Sequence, residues 1–234
     1  MATASKSLEE VFEECRNMDA SLPERLATFA AAVHSRLPSF TAAVDRLVTR
    51  LRENGAGEGA PQQGEPMPPF VLPDETSRLV SLEQLLQSGP VAVTFHRGHW
   101  CPYCRINIDA LAKANDAIAR DGGQVIAIVP ERQQYAAELK ADAKATFPVL
   151  TDIDNGYAMS LNLAIWLGEE LRQSIRDQFG FDLASFQGNE SWVLPIPATF
   201  VVGRDGVVKA RFVDPDYRKR MAIDDLLTAL RKEI

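Results

Sequence analysis

The apolar residues of the first fifty positions recur every three or four residues, which is the spacing of one face of a helix. The positions with this spacing are Leu26, Phe29, Ala30, Val33 and Leu37, followed by Phe40, Val44, Leu47, Val48 and Leu51. Ser7 and Ser21 are each followed three residues later by a glutamate, as in the capping boxes that begin helices. The pattern predicts a helical N-terminal extension over residues 1–53, with Pro38 separating two of its helices.

A change of pattern divides the chain after this extension. Residues 54–66 are rich in Gly, Pro, Gln and Glu and have no periodicity, which predicts a linker. From residue 67 to 234, short β-branched runs such as VAVTF (91–95) and VIAIV (125–129) alternate with helical patterns. Parallel strands need crossover helices, and a hairpin around the turn Gly203–Gly206 adds antiparallel strands.

The predicted fold class is therefore α/β: a mixed central sheet flanked by helices on both faces, with an N-terminal helical extension. Residues 181–197, FDLASFQGNESWVLPIP, show no clear period and are predicted to be a loop. Two amphipathic helices alone bury little surface, so the extension is expected to pack on the α/β part or across a homodimer.

Composition and charge exclude several classes of function. The chain has 234 residues and a net charge of −7, which leaves no electrostatic footprint for nucleic acid or an anionic membrane. Its apolar runs are strand-sized, and the start MATASKSLEEVFEE lacks the features of a secretion signal, so a cytoplasmic protein without membrane contact is expected. Three cysteines are too few for a disulfide scaffold and indicate a reducing compartment.

The strongest chemical signal is Cys101-Pro-Tyr-Cys104, which directly follows a buried strand and opens a helix. This places Cys101 at the helix N-cap and Pro102 at the first helical position. A thiolate at Cys101 would meet free backbone N–H groups and the positive end of the helix dipole, which lower a cysteine pKa. We therefore predict a catalytic dithiol–disulfide pair, Cys101 and Cys104, with no metal or organic cofactor.

Two other interpretations of the motif are weaker. A structural zinc site normally needs a second ligand pair, and the chain has no other C-x-x-C and no H-x3–5-H. Two inert, buried cysteines do not explain why the pair stands between a strand and a helix. Cys15 lies on an amphipathic helix, where a packing role is expected.

Several residues near this motif are candidates for shaping the site. They are Arg97, His99, Trp100, Pro102, Tyr103 and Arg211, with Arg218 as a further candidate cation. Pro197 is another, because it stands directly before a buried strand, where proline cannot join a hydrogen-bond ladder. A cis Ile196–Pro197 bond that faces the cysteine pair is predicted.

Residues 64–232 resemble the alkyl hydroperoxide reductase/thiol-specific antioxidant (AhpC/TSA, peroxiredoxin) family on a thioredoxin fold. The resemblance rests on the segments GEPMPPFVLPD, FHRGHWCPYC, TDIDNGYAMSLNL and PATFVVGRDG. More narrowly, the chain is similar to peroxiredoxins near the bacterioferritin comigratory branch, in which thioredoxin is the usual reductant. The resemblance implies a thioredoxin-like (peroxiredoxin-type) fold, a peroxide substrate and a thioredoxin-like reductant.

Two templates disagree about which sulfur attacks. The peroxiredoxin motif has Pro seven residues and Thr or Ser three residues before its attacking cysteine, which makes Cys104 the attacking residue with Arg97 and Cys101 at those two positions. The family's arginine, usually ahead of the PATF-type strand, is absent, and Arg211 is expected to replace it. In the thioredoxin and glutaredoxin arrangement, W-C-P-Y-C, the first sulfur attacks, which is Cys101.

Three functions follow from these residues. The leading one is a thiol peroxidase that reduces hydrogen peroxide or organic hydroperoxides through the CPYC pair. The second is a disulfide oxidoreductase that uses the same pair without peroxide chemistry. The third is a non-enzymatic redox sensor or interaction module, in which the helical extension recognises a partner.

Overall fold

The computed structural model describes residues 6–233. The helices in this range are α1 (Leu8–Asn17), α2 (Leu22–Arg36), α3 (Pro38–Glu53), α4 (Leu82–Ser88), α5 (Pro102–Arg120), α6 (Gln133–Asp142), α7 (Gly156–Ser160), α8 (Glu169–Phe179), α9 (Leu183–Gln187) and α10 (Ile223–Arg231). The strands are β1 (Val71–Pro73), β2 (Leu79–Ser81), β3 (Val91–Phe95), β4 (Gln124–Val129), β5 (Val149–Thr151), β6 (Ala164–Trp166), β7 (Val193–Pro195), β8 (Ala198–Val202) and β9 (Val208–Val213).

The first three helices begin where the sequence predicts. The side chains of Ser7 and Ser21 each accept a hydrogen bond from the glutamate N–H three residues later, and each glutamate returns the bond. Both capping boxes are therefore confirmed. Pro38 is the first residue of α3, where its missing N–H costs nothing, so it separates α2 from α3.

A five-stranded mixed sheet forms the centre of the α/β part, in the order β5-β4-β3-β8-β9. Strands β3, β4 and β5 are parallel, and β8 and β9 run antiparallel to their neighbours. All residues of β3 and β8 are buried, because helices cover both faces of the sheet. The predicted fold class, a mixed central sheet flanked by helices, is confirmed.

The predicted linker lies on the α/β part as an ordered strap. Gly64 N–H donates to the carbonyl of Val208, the first residue of β9, at 2.8 Å. The Arg211 guanidinium donates to the carbonyls of Gly57 (3.1 Å) and Ala60 (3.3 Å). These bonds fix the direction in which the chain passes from the extension to the sheet.

The segment 181–197 differs from the prediction of a loop. It contains helix α9, which Asp182 caps and Gly188 ends in the left-handed region, and strand β7, which pairs with β6. The side chain of Asp182 accepts from Ala184 N–H at 3.0 Å. Both elements are held by partners distant in sequence or by one cap, so local periodicity does not show them.

The extension packs against the start of α5 and against α8, and one apolar core runs through all of them. Phe12, Phe29, Leu171 and Tyr103 are among its buried members. An ion pair also connects the extension to α5: Arg25 Nη2 lies 2.9 Å from Asp109 Oδ2. Among the helices of residues 6–233, none has the length and apolar character needed to cross a membrane.

Candidate active site

The CPYC motif occupies the turn between β3 and α5. Cys101 is the N-cap of α5 and Pro102 its first residue, as the sequence predicts. Both cysteines are reduced thiols, and both are buried, with Cys101 1% and Cys104 0% exposed. Cys104, one turn into the helix, is the deeper of the two.

The Cys104 sulfur is surrounded by hydrogen-bond donors. Arg97 N–H lies 3.3 Å from it and Arg220 Nη2 lies 3.4 Å from it. Burial by itself raises the pKa of the Cys104 thiol. A hydrogen bond from Cys101 and the positive charge of Arg220 outweigh burial, so the pKa lies well below its usual range. Cys104 is therefore the residue whose thiolate this site stabilises.

Cys101 is in the opposite electrostatic situation. Its side chain caps no helix N–H group. Burial raises the pKa of the Cys101 thiol well above its usual range, and the neighbouring Cys104 sulfur raises it further. The helix-terminus expectation of a thiolate at Cys101 is therefore not met, because burial and a second sulfur outweigh the helix dipole.

Arg220, which the sequence did not single out, supplies the positive charge at Cys104. Its side chain is buried, and its Nη1 donates to the carbonyls of Tyr217 (2.5 Å) and Lys219 (2.6 Å). Within residues 6–233 it forms no ion pair with a carboxylate. A buried guanidinium needs an anionic partner nearby, and the Cys104 sulfur, 3.4 Å from Nη2, is placed to be that partner.

Arg97 contributes both its backbone and its side chain. While its N–H donates to Cys104, its guanidinium lies 3.8 Å from the Tyr217 ring centroid and 4.7 Å from that of Trp100. Trp100 Nε1 donates to the Arg97 carbonyl at 3.1 Å, which closes the turn. Tyr103 packs edge-to-face on Tyr217, with ring centroids 5.4 Å apart. The structure thus brings Arg97, Trp100 and Tyr103 together with the two cysteines.

His96 directly follows β3 and is buried near Cys104. Thr94 Oγ1 donates to the Ile126 carbonyl (2.8 Å) and so accepts from His96 Nε2 (2.9 Å). The proton therefore sits on Nε2, and Nδ1 has no partner in the part of the chain that the structure describes. Burial lowers the pKa of His96 and favours the neutral ring. The sequence signal for His96, a polar residue ending a buried strand, was present but weak.

A buried carboxyl group supports the turn from below. Glu131, which follows β4, is fully buried, and its Oε2 accepts from His99 N–H at 2.7 Å. Burial raises the pKa of Glu131 to about 8. Gly98 has φ of +128°, and a Cβ there would overlap the Glu131 carboxyl, so this position requires glycine. The carboxyl and the glycine together set the shape of the turn.

Three other predicted site residues lie elsewhere. The His99 ring faces Glu138 on α6, with Nδ1 3.5 Å from Oε2. Arg211, expected to replace the family's arginine, binds the strap carbonyls described above, and Arg220 stands at the sulfur instead. The side chain of Arg218 pairs with Asp216 and Asp45.

The prediction of a cis Ile196–Pro197 bond is wrong. Every peptide bond between residues 6 and 233 is trans. The chain runs from β7 into β8 through these two residues, and Ile196 N–H donates to the Leu163 carbonyl at 2.7 Å. This path keeps the backbone extended, and a trans bond before Pro197 satisfies it.

No metal site accompanies the cysteines in the described range. Between residues 6 and 233, no three His, Cys, Asp or Glu side chains are grouped so that they could bind a metal ion. The chemistry available at this site is that of two sulfurs, two buried guanidinium groups, an imidazole and a buried carboxyl group.

A buried dithiol that opens a helix beside a mixed sheet of this order defines a protein of the thioredoxin-fold class. The model of the AhpC/TSA family matches residues 63–211, which is more than half of the chain. The chain therefore belongs to the AhpC/TSA family, as the sequence segments indicated.

Solved structures that share this fold include peroxiredoxins of low sequence identity. Peroxidoxin BcpB from Mycobacterium tuberculosis is 19% identical over 74% of this chain and 97% of its own, with a TM-score of 0.57. A cysteine-to-serine variant of peroxiredoxin 6 from Arenicola marina is 15% identical over 72% of this chain and 71% of its own, with a TM-score of 0.54. The reduced 2-Cys peroxiredoxin of Plasmodium vivax is 17% identical over 70% and 78%, with a TM-score of 0.52. No functionally curated protein matches the chain.

Proposed function

We propose that this protein is a thiol peroxidase in which Cys104 attacks the peroxide and Cys101 resolves the product. The observation that carries the proposal is the Arg220 guanidinium 3.4 Å from the Cys104 sulfur, buried and without a carboxylate partner in the described part of the chain. A charge placed there stabilises an anionic nucleophile at neutral pH. Cys101 takes the place of the hydroxyl residue in the family motif, and its thiol hydrogen-bonds to Cys104.

The chemistry proceeds in two steps. The Cys104 thiolate attacks one peroxide oxygen, an S–O bond forms as the O–O bond breaks, and the leaving alkoxide or hydroxide takes a proton from solvent. Cys104 is then a sulfenic acid. The Cys101 thiol attacks this sulfur, its proton and the hydroxyl leave as water, and a Cys101–Cys104 disulfide remains.

A thioredoxin-like dithiol completes the cycle. Attack on the disulfide forms a mixed disulfide with one of the two cysteines, and the second thiol of the reductant releases it. Cys101 is the sulfur that lines a cavity on this side of the molecule, so the reductant is expected to attack there. Two electrons then return to the pair for each peroxide reduced.

One observation favours a second candidate function. Because Cys101, not Cys104, lines the cavity, a disulfide substrate reaches the first sulfur more readily than the second. A disulfide oxidoreductase would use Cys101 as its nucleophile after proton transfer to Cys104. The two functions therefore predict different essential residues for the first chemical step.

Stopped-flow reaction of the prereduced protein with hydrogen peroxide separates the two functions. We expect Cys104→Ser to react no faster than free cysteine, and Cys101→Ser to react once and to retain a sulfenic acid that a dimedone-type probe labels. Cys15→Ser, a matched variant of the buried cysteine on α1, should react like the unaltered protein. If the protein reduces insulin rapidly but consumes peroxide only at the rate of free cysteine, the peroxidase function is wrong and the disulfide oxidoreductase function is supported.

A further inference from the structure

An apolar cavity lies between the N-terminal extension, the CPYC turn and helix α8. It encloses about 230 Å³, and Cys101 forms part of its wall. A cavity of about 150 Å³ is large enough to hold benzene, so this one has room for an apolar chain. The thiol chemistry described above does not by itself require such a cavity.

The extension and the α/β part build the cavity together. One row of contacting aromatic rings runs from α3 to the cysteine turn, with centroid distances of 5.1 Å (Phe40–Phe179), 6.2 Å (Phe179–Phe181) and 5.7 Å (Phe181–Trp100). Helices α1, α2 and α3 all lie outside residues 63–211, the region that matches the AhpC/TSA family. The family match therefore does not indicate what this cavity binds.

Two charged side chains belong to the lining of the cavity, and they differ in burial. Arg97 is 4% exposed, whereas Glu9 is exposed on α1. Arg97 lies close enough to Cys101 for its positive charge to act against the burial that raises the pKa of that thiol. Among residues 6–233, Arg97 forms no ion pair with a carboxylate. The cavity thus has a positive inner end beside the sulfur and a negative mouth.

The buried charges around the two sulfurs do not balance. Arg220 donates to the Cys104 sulfur and offsets its single negative charge. Burial lowers the pKa of His96 and raises that of Glu131 to about 8, so both are neutral near pH 7. The Arg97 guanidinium has the faces of two aromatic rings beside it and no anion to offset its charge. Since a buried cation without an anion is costly, an anionic group in the cavity would stabilise the site.

We propose that the cavity binds a fatty acid of medium chain length, whose carboxylate pairs with Arg97 and whose chain lies along the aromatic wall. The bound acid covers Cys101, the sulfur that lines the cavity, and so blocks attack of a reductant on a Cys101–Cys104 disulfide. Glu9 at the mouth repels a carboxylate, which favours the orientation with the head group inside. The inference does not depend on the choice between the two candidate functions, because both use Cys101 in thiol exchange.

Size and charge favour this occupant over others. A volume of about 230 Å³ accommodates a single chain and not a folded segment of a protein partner. A neutral alcohol of the same length would fill the space but would leave Arg97 without an anion. A single apolar chain with an anionic head group meets both requirements of the cavity.

Calorimetric titration of the reduced protein with octanoate tests the pairing with Arg97. Octanoate should bind more tightly than 1-octanol, and each methylene added from hexanoate to octanoate should tighten binding roughly threefold. Arg97→Met removes the guanidinium but keeps the backbone N–H that contacts Cys104. Its Kd for octanoate should be roughly 10- to 100-fold higher, because one charge-assisted hydrogen bond is lost. Arg97→Lys should restore most of the binding, and Arg204→Met, exposed between β8 and β9, should bind like the unaltered protein.

A second pair of variants tests whether the acid occupies this cavity. Val33→Phe, which fills the cavity from α2, should abolish octanoate binding. Ala31→Phe, on the exposed side of the same helix, should retain it. Thermal denaturation verifies that each variant folds. Leu8→Phe takes the place of Val33→Phe, and Arg97→Gln that of Arg97→Met, if either variant does not fold.

Reduction of the disulfide form tests the block at Cys101. Protein oxidised with diamide is reduced with dithiothreitol, and the rate should fall as octanoate fills the cavity. No peroxide takes part in this assay or in the titrations, so failure of the peroxidase function would leave their results unchanged. Absence of octanoate binding, equal binding of 1-octanol, or unchanged binding to Arg97→Met would overturn the assignment of a carboxylate ligand. A reduction rate that bound octanoate does not alter would overturn its placement beside Cys101.

Discussion

At the scale of single residues, the site is a balance between buried charges. Arg220 and Arg97 are both buried beside the two sulfurs, and neither pairs with a carboxylate in the described residues. One sulfur has to carry negative charge to offset them, and the hydrogen bonds select Cys104. In the proposed mechanism Cys101 keeps its proton at this stage, and that proton leaves with the hydroxyl group as water when the Cys101 sulfur attacks the sulfenic acid.

Substitution of Arg220 by methionine tests this balance. Arg220→Met keeps the apolar stem but removes the charge-assisted hydrogen bond, which is worth about 1.5–3 kcal/mol. We expect the pKa of Cys104 to rise and peroxide reduction at neutral pH to fall roughly 10- to 100-fold. Because the thiolate is the reactive form and activity disappears as pH falls through its pKa, this loss should occur at higher pH in the variant. Stopped-flow rates measured across pH show both effects.

Arg204→Met is the matched control for this prediction. Arg204 is exposed in the β8–β9 turn and donates to the Ser88 carbonyl, far from the chemistry of the cysteines. Its removal should leave the pH profile unchanged. An Arg220→Met protein with an unaltered profile would show that the guanidinium does not stabilise the thiolate.

Residue roles divide into those that sequence spacing shows and those that it does not. Cys101, Pro102 and Cys104 are adjacent in the chain, so the motif alone predicted a helix N-cap and a dithiol. Arg220 reaches Cys104 across 116 positions from the loop after β9. Nothing in the local pattern around Arg220 distinguishes it from Arg218, which pairs with carboxylates instead. A contact between distant residues depends on the packed fold, not on spacing.

At the scale of elements, the turn from β3 to α5 depends on a carboxyl group delivered by another strand. Glu131 follows β4, the parallel neighbour of β3, and accepts the N–H of His99 within that turn. Because the carboxyl ends of parallel strands meet at one edge of the sheet, Glu131 and the cysteine turn are neighbours by topology. The sheet therefore supplies both the motif and its support.

Replacement of Glu131 by glutamine tests whether burial keeps this carboxyl group protonated. The measured quantity is the pH dependence of the free energy of unfolding. Its pKa is raised from 4.5 to about 8 in the folded protein, so the folded state binds more protons than the unfolded state between those values. Stability that the neutral carboxyl contributes is complete below pH 4.5 and is lost as pH rises towards about 8. Relative to Glu131→Gln, the free energy of unfolding of the unaltered protein should fall by about 1.4 kcal/mol for each pH unit in this window.

Urea denaturation at a series of pH values measures this difference. Glu190→Gln, which removes an exposed carboxylate, should leave the difference from the unaltered protein nearly constant across the same window. A constant difference for Glu131→Gln as well would mean that Glu131 is ionised in the folded state at pH 5 to 8.

Elements with a strong local signal were predicted well. The capping boxes of Ser7 and Ser21 and the strand that contains residues 125–129 appear where the pattern placed them. Helix α9 and strand β7 did not appear in the sequence pattern. They have five and three residues, too few to show a period, and their stability comes from a cap and from pairing with β6.

At the scale of the whole molecule, the extension and the α/β part share polar and apolar contacts. The carboxylate of Asp109 on α5 forms ion pairs with Arg25 (2.9 Å) and Arg16 (3.4 Å) of the extension, and with Lys113 (2.7 Å) on α5 itself. Arg25 and Asp109 are both buried. The sequence pattern showed that the helices of the extension have apolar faces. It did not show which element covers them, because the periodicity of one helix carries no information about the surface it packs against.

We expect substitution of Asp109 to lower the free energy of unfolding of the extension and the α/β part together. Asp109→Ala leaves the buried Arg25 guanidinium without its carboxylate, which costs about 3 kcal/mol. Since the extension shares a core with α5, helix and sheet signals should still be lost together in urea. Glu14→Ala on α1, which breaks an exposed ion pair with Lys6, should change the free energy of unfolding little. An extension that unfolds separately, before the sheet, would contradict the shared core.

The most direct test of the nucleophile assignment is a pH titration of the two active-site cysteines. It is followed by NMR of the reduced protein, labelled with ¹³C at the cysteine β-carbon. The shift of Cys104 should report a thiolate at neutral pH, and Cys101 should remain a thiol until well above its usual range. Titration of Cys101 first, or retention of the proton on Cys104 at and above the usual cysteine pKa, would contradict the assignment of the nucleophile.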